Sequence, residues 1–308
     1  MSAPRAVVFA YHDVGVRCLK TLLSGGVEVA LVVTVPDDPQ EQRWYQSVAA
    51  TAADYGLPLI VPPCPNHSAL VNQVHSLQPD FVFSFYYRSL LGEELLNSAR
   101  RGALNMHGSL LPRYRGRAPV NWAILRGERE TGATLHYMVA RADAGDIVDS
   151  QSVPILEDDD AREVFAKVTV AAEQVLARSL PALLAGTAPR RPQPLLAHEY
   201  FGRRRPEDGR IDWQRSAREV HNLVRAVAPP FPAAFGNVGG ERWEIHRTRQ
   251  VARRAPPGGA QLFSDAGRCY LSCGDGGVLM LLAAADARGA LDLAALAQRT
   301  AGRTLALS

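Results

Sequence analysis

Cysteine is scarce in this chain. Four occur in 308 residues, Cys18, Cys64, Cys269 and Cys273, too few and too scattered for a disulfide framework. Cys269-x-x-x-Cys273 has no partner pair and no nearby histidine, which favours packing over a metal site as its role. No His, Cys and carboxylate cluster shows ligand spacing, so no metal is expected. No apolar run approaches the ~18 residues needed to cross a bilayer, and the N-terminus passes straight into Arg5-Ala6-Val7-Val8-Phe9-Ala10 without a signal-peptide layout. The expectation is a cytoplasmic protein with no stable membrane insertion. Internal repeats and heptads are absent as well. Charge of one sign is also scarce: the formal net charge is +3, too small to argue for nucleic acid. It is unevenly shared, since residues 201 to 308 hold 16 arginines against 10 acids and residues 1 to 200 hold 18 basic against 21 acidic side chains.

What is present is a rhythm of short apolar runs and amphipathic stretches. Ala6 to Ala10 reads as a strand, followed across a tight turn at Tyr11-His12-Asp13 by a helix from Gly15 to Leu23. The alternation continues with a strand at Glu28 to Val35, a helix near Glu41 to Tyr55, a strand at Leu59 to Val61, a helix at Ser68 to Leu77, and strands at Phe81 to Phe85 and Ala103 to His107. Such alternation predicts an α/β fold: a Rossmann-like, mostly parallel sheet with helices on both faces, binding ligands beyond the carboxyl ends of its strands. The first strand-to-helix turn has only Gly15 and no G-x-G-x-x-G, so a dinucleotide pyrophosphate has no close approach to the backbone and no NAD is expected. A helix at Pro119 to Arg126, strands at Ala133 to Val139 and Ile147 to Ile155, and a long helix at Ala161 to Leu184 complete the first part. The Pro- and Arg-rich stretch Pro189 to Pro194 and then Gly202-Arg203-Arg204-Arg205-Pro206 mark a linker. Beyond it, one helix at Ala217 to Val227 and short strands with glycine turns predict a small, mostly β, OB-like module. The expected division is 1–200 and 201–308.

Asn105-Met106-His107 is the most informative stretch. At the end of a buried strand, alternation points Asn105 and His107 to the same side, where an amide donor can stabilise an oxyanion while an imidazole moves a proton. A carboxylate completes such a set by orienting the imidazole and favouring its protonated form. Asp143, in Arg141-Ala142-Asp143-Ala144-Gly145-Asp146, directly follows a strand and is the obvious candidate; Asp146, beside a glycine, fits turn capping. Taken alone, N-x-H is better read as two satisfied polar residues at a strand terminus.

Asn105, His107, Ser109-Leu110-Leu111-Pro112 and Asp143 resemble, residue type by residue type, the signature of the formyltransferases that use 10-formyltetrahydrofolate. Phe9-Ala10-Tyr11-His12-Asp13, Phe83-Ser84-Phe85-Tyr86-Tyr87-Arg88 and Leu111-Pro112-Arg113-Tyr114-Arg115-Gly116-Arg117-Ala118-Pro119 narrow the resemblance to the ArnA type, the bacterial enzymes that formylate UDP-4-amino-4-deoxy-L-arabinose. Phe201-Gly202-Arg203-Arg204 and His221-Asn222-Leu223-Val224-Arg225-Ala226-Val227 are similar too, so the likeness runs over nearly the whole chain.

The resemblance implies an enzyme in which His107 manages protons while Asn105 and Asp143 support the tetrahedral intermediate. It implies folate contacts at Ser89, Leu90 and Leu91, at Arg117, and along Val139, Ala140, Arg141, Ala142 and Asp143. Its implied partners are small molecules, the folate donor and a UDP-amino sugar, and a homodimer is common among related sugar formyltransferases. Its implied role is lipid A and lipopolysaccharide biosynthesis, with polymyxin (antibiotic) resistance as the consequence. The ArnA type carries a further NAD-dependent decarboxylating domain that the likeness does not reach, so the oxidative step is expected on another polypeptide, or the sugar differs.

Methionyl-tRNA formyltransferase is the nearest alternative. It carries a basic loop where this chain has Pro36-Asp37-Asp38-Pro39-Gln40-Glu41-Gln42-Arg43, whose acids oppose a phosphate backbone. No nucleic-acid partner is therefore expected, although the arginine surplus of residues 201–308 keeps tRNA as a second reading. Phosphoribosylglycinamide formyltransferases resemble only the first domain. Arg113, Arg115 and Arg117 suggest a phosphate-contacting strip, and Arg203, Arg204 and Arg205 could meet a diphosphate. A non-catalytic folate-binding protein is a third reading, opposed by the intact trio.

Overall fold

The computed structural model describes residues 3–36, 43–194 and 200–308. In chain order the elements are β1 (Arg5–Ala10), α1 (His12–Ser24), β2 (Glu28–Val33), α2 (Val48–Asp54), β3 (Leu59–Ile60), α3 (Ser68–Ser76), β4 (Phe81–Phe85), α4 (Glu93–Asn97), β5 (Gly102–His107), β6 (Arg115–Gly116), α5 (Pro119–Leu125), β7 (Glu130–Tyr137), β8 (Ile147–Pro154), α6 (Ala161–Ala185) and β9 (Tyr200–Phe201). After a 3-10 turn (Pro206–Gly209) come α7 (Ala217–Ala226), β10 (Ala234–Val238), β11 (Glu241–Val251), β12 (Gln261–Asp265), β13 (Arg268–Ser272), β14 (Val278–Asp286), β15 (Gly289–Ala290), α8 (Leu293–Arg299) and β16 (Thr304–Ala306). Two compact units result: Met1–Pro119 with Glu130–Pro154 and Ala166–Gly202, and Val120–Arg129 with Ile155–Phe165 and Arg203–Ser308.

The first unit is built on a sheet of order β3-β2-β1-β4-β5-β7-β8. The first five strands are parallel, and β7 and β8 run antiparallel at the far side. It is the mostly parallel, Rossmann-like sheet that the alternation predicts. Its centre explains why β1 and β4 read as continuous apolar runs: every residue from Ala6 to Ala10 is fully buried, as a parallel strand covered on both faces must be. Val7, Phe9 and Val82 share a cluster with Leu70, Val71, Val74 and Leu95 of α3 and α4. Phe81, Phe83 and Phe85, on the other face of β4, stack at 5.6 and 5.4 Å. Burying one such ring is worth about 1.5–3 kcal/mol.

Several elements depart from the sequence reading: α2 begins at Val48 rather than near Glu41, and α4 is not anticipated. Helix α1 starts at His12, directly after the extended Tyr11, the turn being made by the left-handed backbone of His12 at φ 64°, and β7 begins at Glu130 rather than Ala133. Strand β7 is paired on both sides and buried from Thr131 to His136, so no in–out alternation marks its start. Helix α6 also corrects the reading that no segment is long and apolar enough to span a membrane: by length and composition it is, with a mean hydropathy of 1.2 over 18 residues. In the structure it is a packed helix. Val168, Ala172, Val175 and Leu176 are fully buried, Arg17 pairs with Glu173 at 2.6 Å, and Arg178 pairs with Asp149 at 2.7 Å.

The second unit is an antiparallel sheet of order β10-β11-β14-β13-β12-β16. Its path returns on itself, because Asn237 N–H donates to Ser308 O at 2.8 Å, Ser308 N–H to Asn237 O at 3.1 Å, and Gly239 N–H to Ala306 O at 2.9 Å. Closing the path removes exposed strand edges. Inside lies a core of Trp213, Trp243, Ile245, Leu262, Leu271 and Leu279, with Cys269 and Cys273 packed among them. Burial pushes the Cys273 thiol up to about 12, so it behaves as a small apolar side chain.

Candidate active site

Strand β5 delivers Asn105 and His107 two residues apart at its carboxyl end, and β7 runs antiparallel beside it. The register sets Asn105 opposite His136 and His107 opposite Thr134. Thr134 fixes the turn that follows β5: its hydroxyl donates to Ser109 O at 2.7 Å and accepts from Leu111 N–H at 3.1 Å. Ser109 Oγ, fully buried, donates to Arg113 O at 2.6 Å. The Ser109 to Pro112 run is thus a structural turn, and it carries the chain round so that Tyr114 O accepts from His107 Nε2 at 2.9 Å.

Residues 138–146 bring the carboxylate. Asp143 sits in the left-handed region at φ 51°, a conformation that aspartate tolerates better than most residues. Gly145 lets the loop close, because a Cβ there would collide with the Tyr137 carbonyl. Gln193 clamps the same loop, its Nε2 donating to Asp143 O at 3.2 Å and Gly145 O at 2.6 Å. Asp143 Oδ1 then lies 3.5 Å from His107 Nδ1 and 3.7 Å from His136 Nε2, while Oδ2 accepts from Gly116 N–H at 2.9 Å. Burial alone would raise the Asp143 pKa; the His107 charge, His136 and the Gly116 amide more than offset it and hold the carboxyl well below the usual range.

Hydrogen-bond inventory assigns the ring nitrogens. A carbonyl oxygen only accepts, so His107 Nε2 carries a hydrogen toward Tyr114 O, and Nδ1, facing the carboxylate, is the nitrogen free to exchange a proton. His136 Nδ1 likewise donates to Tyr137 O at 2.8 Å. In the neutral ring its Nε2 therefore accepts, and Asn105 Nδ2 stands 3.1 Å away, which orients the amide. Asn105, His136, Asp143 and His107 form one connected set. Such a set can donate to an oxygen that gains charge and move a proton beside it.

The remaining sequence-predicted positions spread over two loops. Ser89 and Leu90 are exposed after β4, Leu90 at 66%, whereas Leu91 packs into the core cluster of α3 and α4. That loop is braced by Asn66, which donates to Leu90 O at 3.0 Å and accepts from Gly92 N–H at 2.7 Å. Val139, Ala140 and Arg141 are exposed and Ala142 is half-buried. Arg117 is exposed, its backbone N–H bonded to Phe201 O at 2.9 Å. The arginine strip is divided: Arg115 is buried, and Arg113 lies 5.9 Å from the Tyr114 ring. In the second unit Arg204 stacks over Trp122 at 5.0 Å and donates to Asp208 O. The acidic stretch after β2 lies, for residues 37–42, outside the described residues. A concavity of ≈ 640 Å³ lined by Arg253, Arg254, Phe263 and Asp265 includes none of these positions.

Sequence reasoning missed His136, Gln193 and the Gly116 amide. His136 had a legible signal, a histidine at an alternating position of the strand next to β5. Gln193, 50 residues from the loop it clamps, had none.

An open α/β sheet with an imidazole, a carboxylate and an amide gathered at one strand end defines a group-transfer enzyme of the acyl-transfer kind. The chain belongs to the formyl transferase family: its N-terminal model, "Formyl transferase", matches residues 6–180, and "Formyl transferase, C-terminal domain" matches residues 204–300. It is a formyltransferase. Among solved structures it is similar in fold to an N-formyltransferase from Helicobacter canadensis in complex with folinic acid and dTDP-3-aminofucose (19% identity, 91% of this chain and 98% of that one, TM-score 0.71). WlaRD, a sugar 3N-formyl transferase in the presence of dTDP and 5-N-formyl-THF, is similar at 18% identity over 95% and 99% of the two chains, TM-score 0.70. A 4-N formyltransferase from Francisella tularensis is similar at 20% identity over 76% and 93%, TM-score 0.61.

Proposed function

We propose that this formyltransferase moves the formyl group of 10-formyltetrahydrofolate to the 4-amino group of a nucleotide-linked amino sugar, UDP-4-amino-4-deoxy-L-arabinose being the acceptor that its ArnA-type motifs favour. The observation that carries the reading is the connected set of Asn105, His136, Asp143 and His107 on a formyltransferase-family sheet. The sugar N-formyltransferases similar to it in fold, with their folate and nucleotide ligands, support the donor and the acceptor class. In this reading residues 1–200 form the catalytic domain, residues 201–308 an accessory β domain, and the enzyme works in the cytoplasm.

The chemistry follows from the geometry. The sugar amine attacks the formyl carbon, and the new C–N bond forms as charge gathers on the formyl oxygen. The Asn105 side-chain N–H meets that oxygen, a contribution of ~10²–10³ in rate for one donor in comparable sites. The amine proton passes to His107 Nδ1. Asp143 stabilises the imidazolium so formed, and His107 returns the proton to the folate nitrogen as its bond to the formyl carbon breaks. Atoms and charge balance without a metal or a redox partner. For the flat pterin, the exposed apolar side chains Leu90 and Val139 on the two loops offer the kind of slot that such rings need.

The test is purified protein with 10-formyltetrahydrofolate, offered UDP-4-amino-4-deoxy-L-arabinose and methionyl-tRNA in separate reactions. Formylation of the sugar alone is the expected result. Preferential modification of the tRNA would reverse the choice, and the arginine surplus of residues 201–308 would then be its electrostatic basis.

A further inference from the structure

We infer that His136 is a positioning residue that sets which end of the Asn105 amide faces the reacting carbon; the inference rests on Asn105 acting as the oxyanion donor. His136 is 1% exposed, and its register partner across the β5–β7 ladder is Asn105. Its Nδ1–H is consumed by Tyr137 O at 2.8 Å, so the neutral ring presents a lone pair at Nε2. That lone pair accepts one Nδ2 hydrogen of Asn105 at 3.1 Å. An amide's terminal torsion is broad and roughly two-fold, so without this acceptor Asn105 can turn its Oδ1 toward the site of charge development. An oxygen there repels an oxyanion, while an N–H stabilises it. His136 removes the wrong rotamer and leaves the second N–H of Asn105 for the formyl oxygen.

His136 also lies 3.7 Å from Asp143 Oδ1. The ring thus stands between the donor side of the site and the carboxylate that faces His107, its Nε2 engaged by Asn105. A histidine that merely filled the core would leave the amide's orientation to Asn105 itself.

Two measurements test the inference. Imidazole ¹⁵N spectra of the ligand-free wild-type protein should show His136 protonated at Nδ1 and bare at Nε2; the opposite tautomer overturns the proposal without any variant. Kinetics with 10-formyltetrahydrofolate and UDP-4-amino-4-deoxy-L-arabinose then compare His136→Phe, which keeps volume and removes the acceptor, with His136→Gln, which restores an acceptor near the Nε2 position. His136→Phe should lower kcat by ~10–100-fold with little change in KM, within the ~10²–10³ that loss of an oxyanion donor costs. His136→Gln should recover most of that loss. Because His136 acts through Asn105, the double variant Asn105→Ala/His136→Phe should fall no further than Asn105→Ala alone. Multiplicative losses in the double variant would show an independent, structural role and overturn this inference while leaving the site reading intact. An Asn105→Ala enzyme as fast as wild type would overturn the site reading itself and this inference with it.

Discussion

Two histidine networks, one in each unit, use similar side chains to opposite ends. In the second unit His221 is 2% exposed, with Nε2 donating to Glu157 O at 3.1 Å and Nδ1 accepting from Thr248 Oγ1 at 2.9 Å. Beside it Arg225 donates to Asn222 Oδ1 at 2.8 Å and to Asp159 O at 3.1 Å. Both nitrogens of His221 hydrogen-bond to uncharged groups, so the ring staples α7 to residues 155–159 and strand β11, and the half-exposed Asp158 carboxylate stands 3.7 Å from the Nε2 that already donates to Glu157 O. In the first unit His107 keeps one nitrogen for a carbonyl and turns the other toward a carboxylate whose pKa is depressed. Burial and polar partners are common to both. What separates the two is that His107 turns Nδ1 toward a well-buried carboxylate, whereas the carboxylate near His221 is half-exposed and beside a nitrogen that already donates to a carbonyl.

The sharpest break is His107→Ala, which should abolish formyl transfer, a loss of at least ~10²–10⁴-fold for a general acid–base. Folate binding by titration should survive largely intact, and unchanged turnover would dismiss the mechanism. Asp143→Asn comes next. It keeps the shape and removes the charge facing Nδ1, so kcat should fall by about 10²-fold or more and the pH–rate profile should shift, because the imidazolium loses its counter-charge.

His221→Ala should do the reverse. It leaves Thr248 Oγ1 and Glu157 O without partners, which costs about 2 kcal/mol of unfolding free energy, read as a lower urea midpoint, while turnover per folded molecule stays near wild type. A catalytic loss matching that of His107→Ala would erase the contrast.

The smallest effect is on stability against pH. Burial lowers the His221 pKa, and burial with Arg88 nearby pushes His12 down to about 3. Unfolded histidine takes up its proton near 6.5, before the folded rings do. Their contribution is therefore complete above pH ~6.5 and is lost as pH falls toward the folded values, at up to ~1.4 kcal/mol per pH unit for each group. The urea midpoint should decline between pH 7 and 5, and less steeply in His221→Ala. A flat profile would contradict the burial of both rings.

The sheet was legible because its central strands are apolar on both faces and its helices repeat at 3.6. The Phe81 to Phe85 strand was read to the residue, and Asn105 and His107 were placed at the strand end by alternation alone. Their partners were harder. Asp143 could be proposed from its loop, but the left-handed backbone that aims it depends on Gly145 and Gln193, contacts that no local pattern encodes. The Leu90-Leu91 pair looked uniform in sequence, and the chain's path turns one outward and the other into the core. The His221 to Arg225 motif carried the family likeness into the second unit, and its side chains are consumed there, holding Leu156, Glu157 and Asp159.

The most direct test of the account is a crystal structure of the protein with 5-formyltetrahydrofolate and UDP. The formyl oxygen should lie within ~3.2 Å of Asn105 Nδ2, with His107 Nδ1 facing the formyl carbon and the pterin against Leu90 and Val139. A folate bound with its formyl group remote from Asn105 and His107 would contradict it.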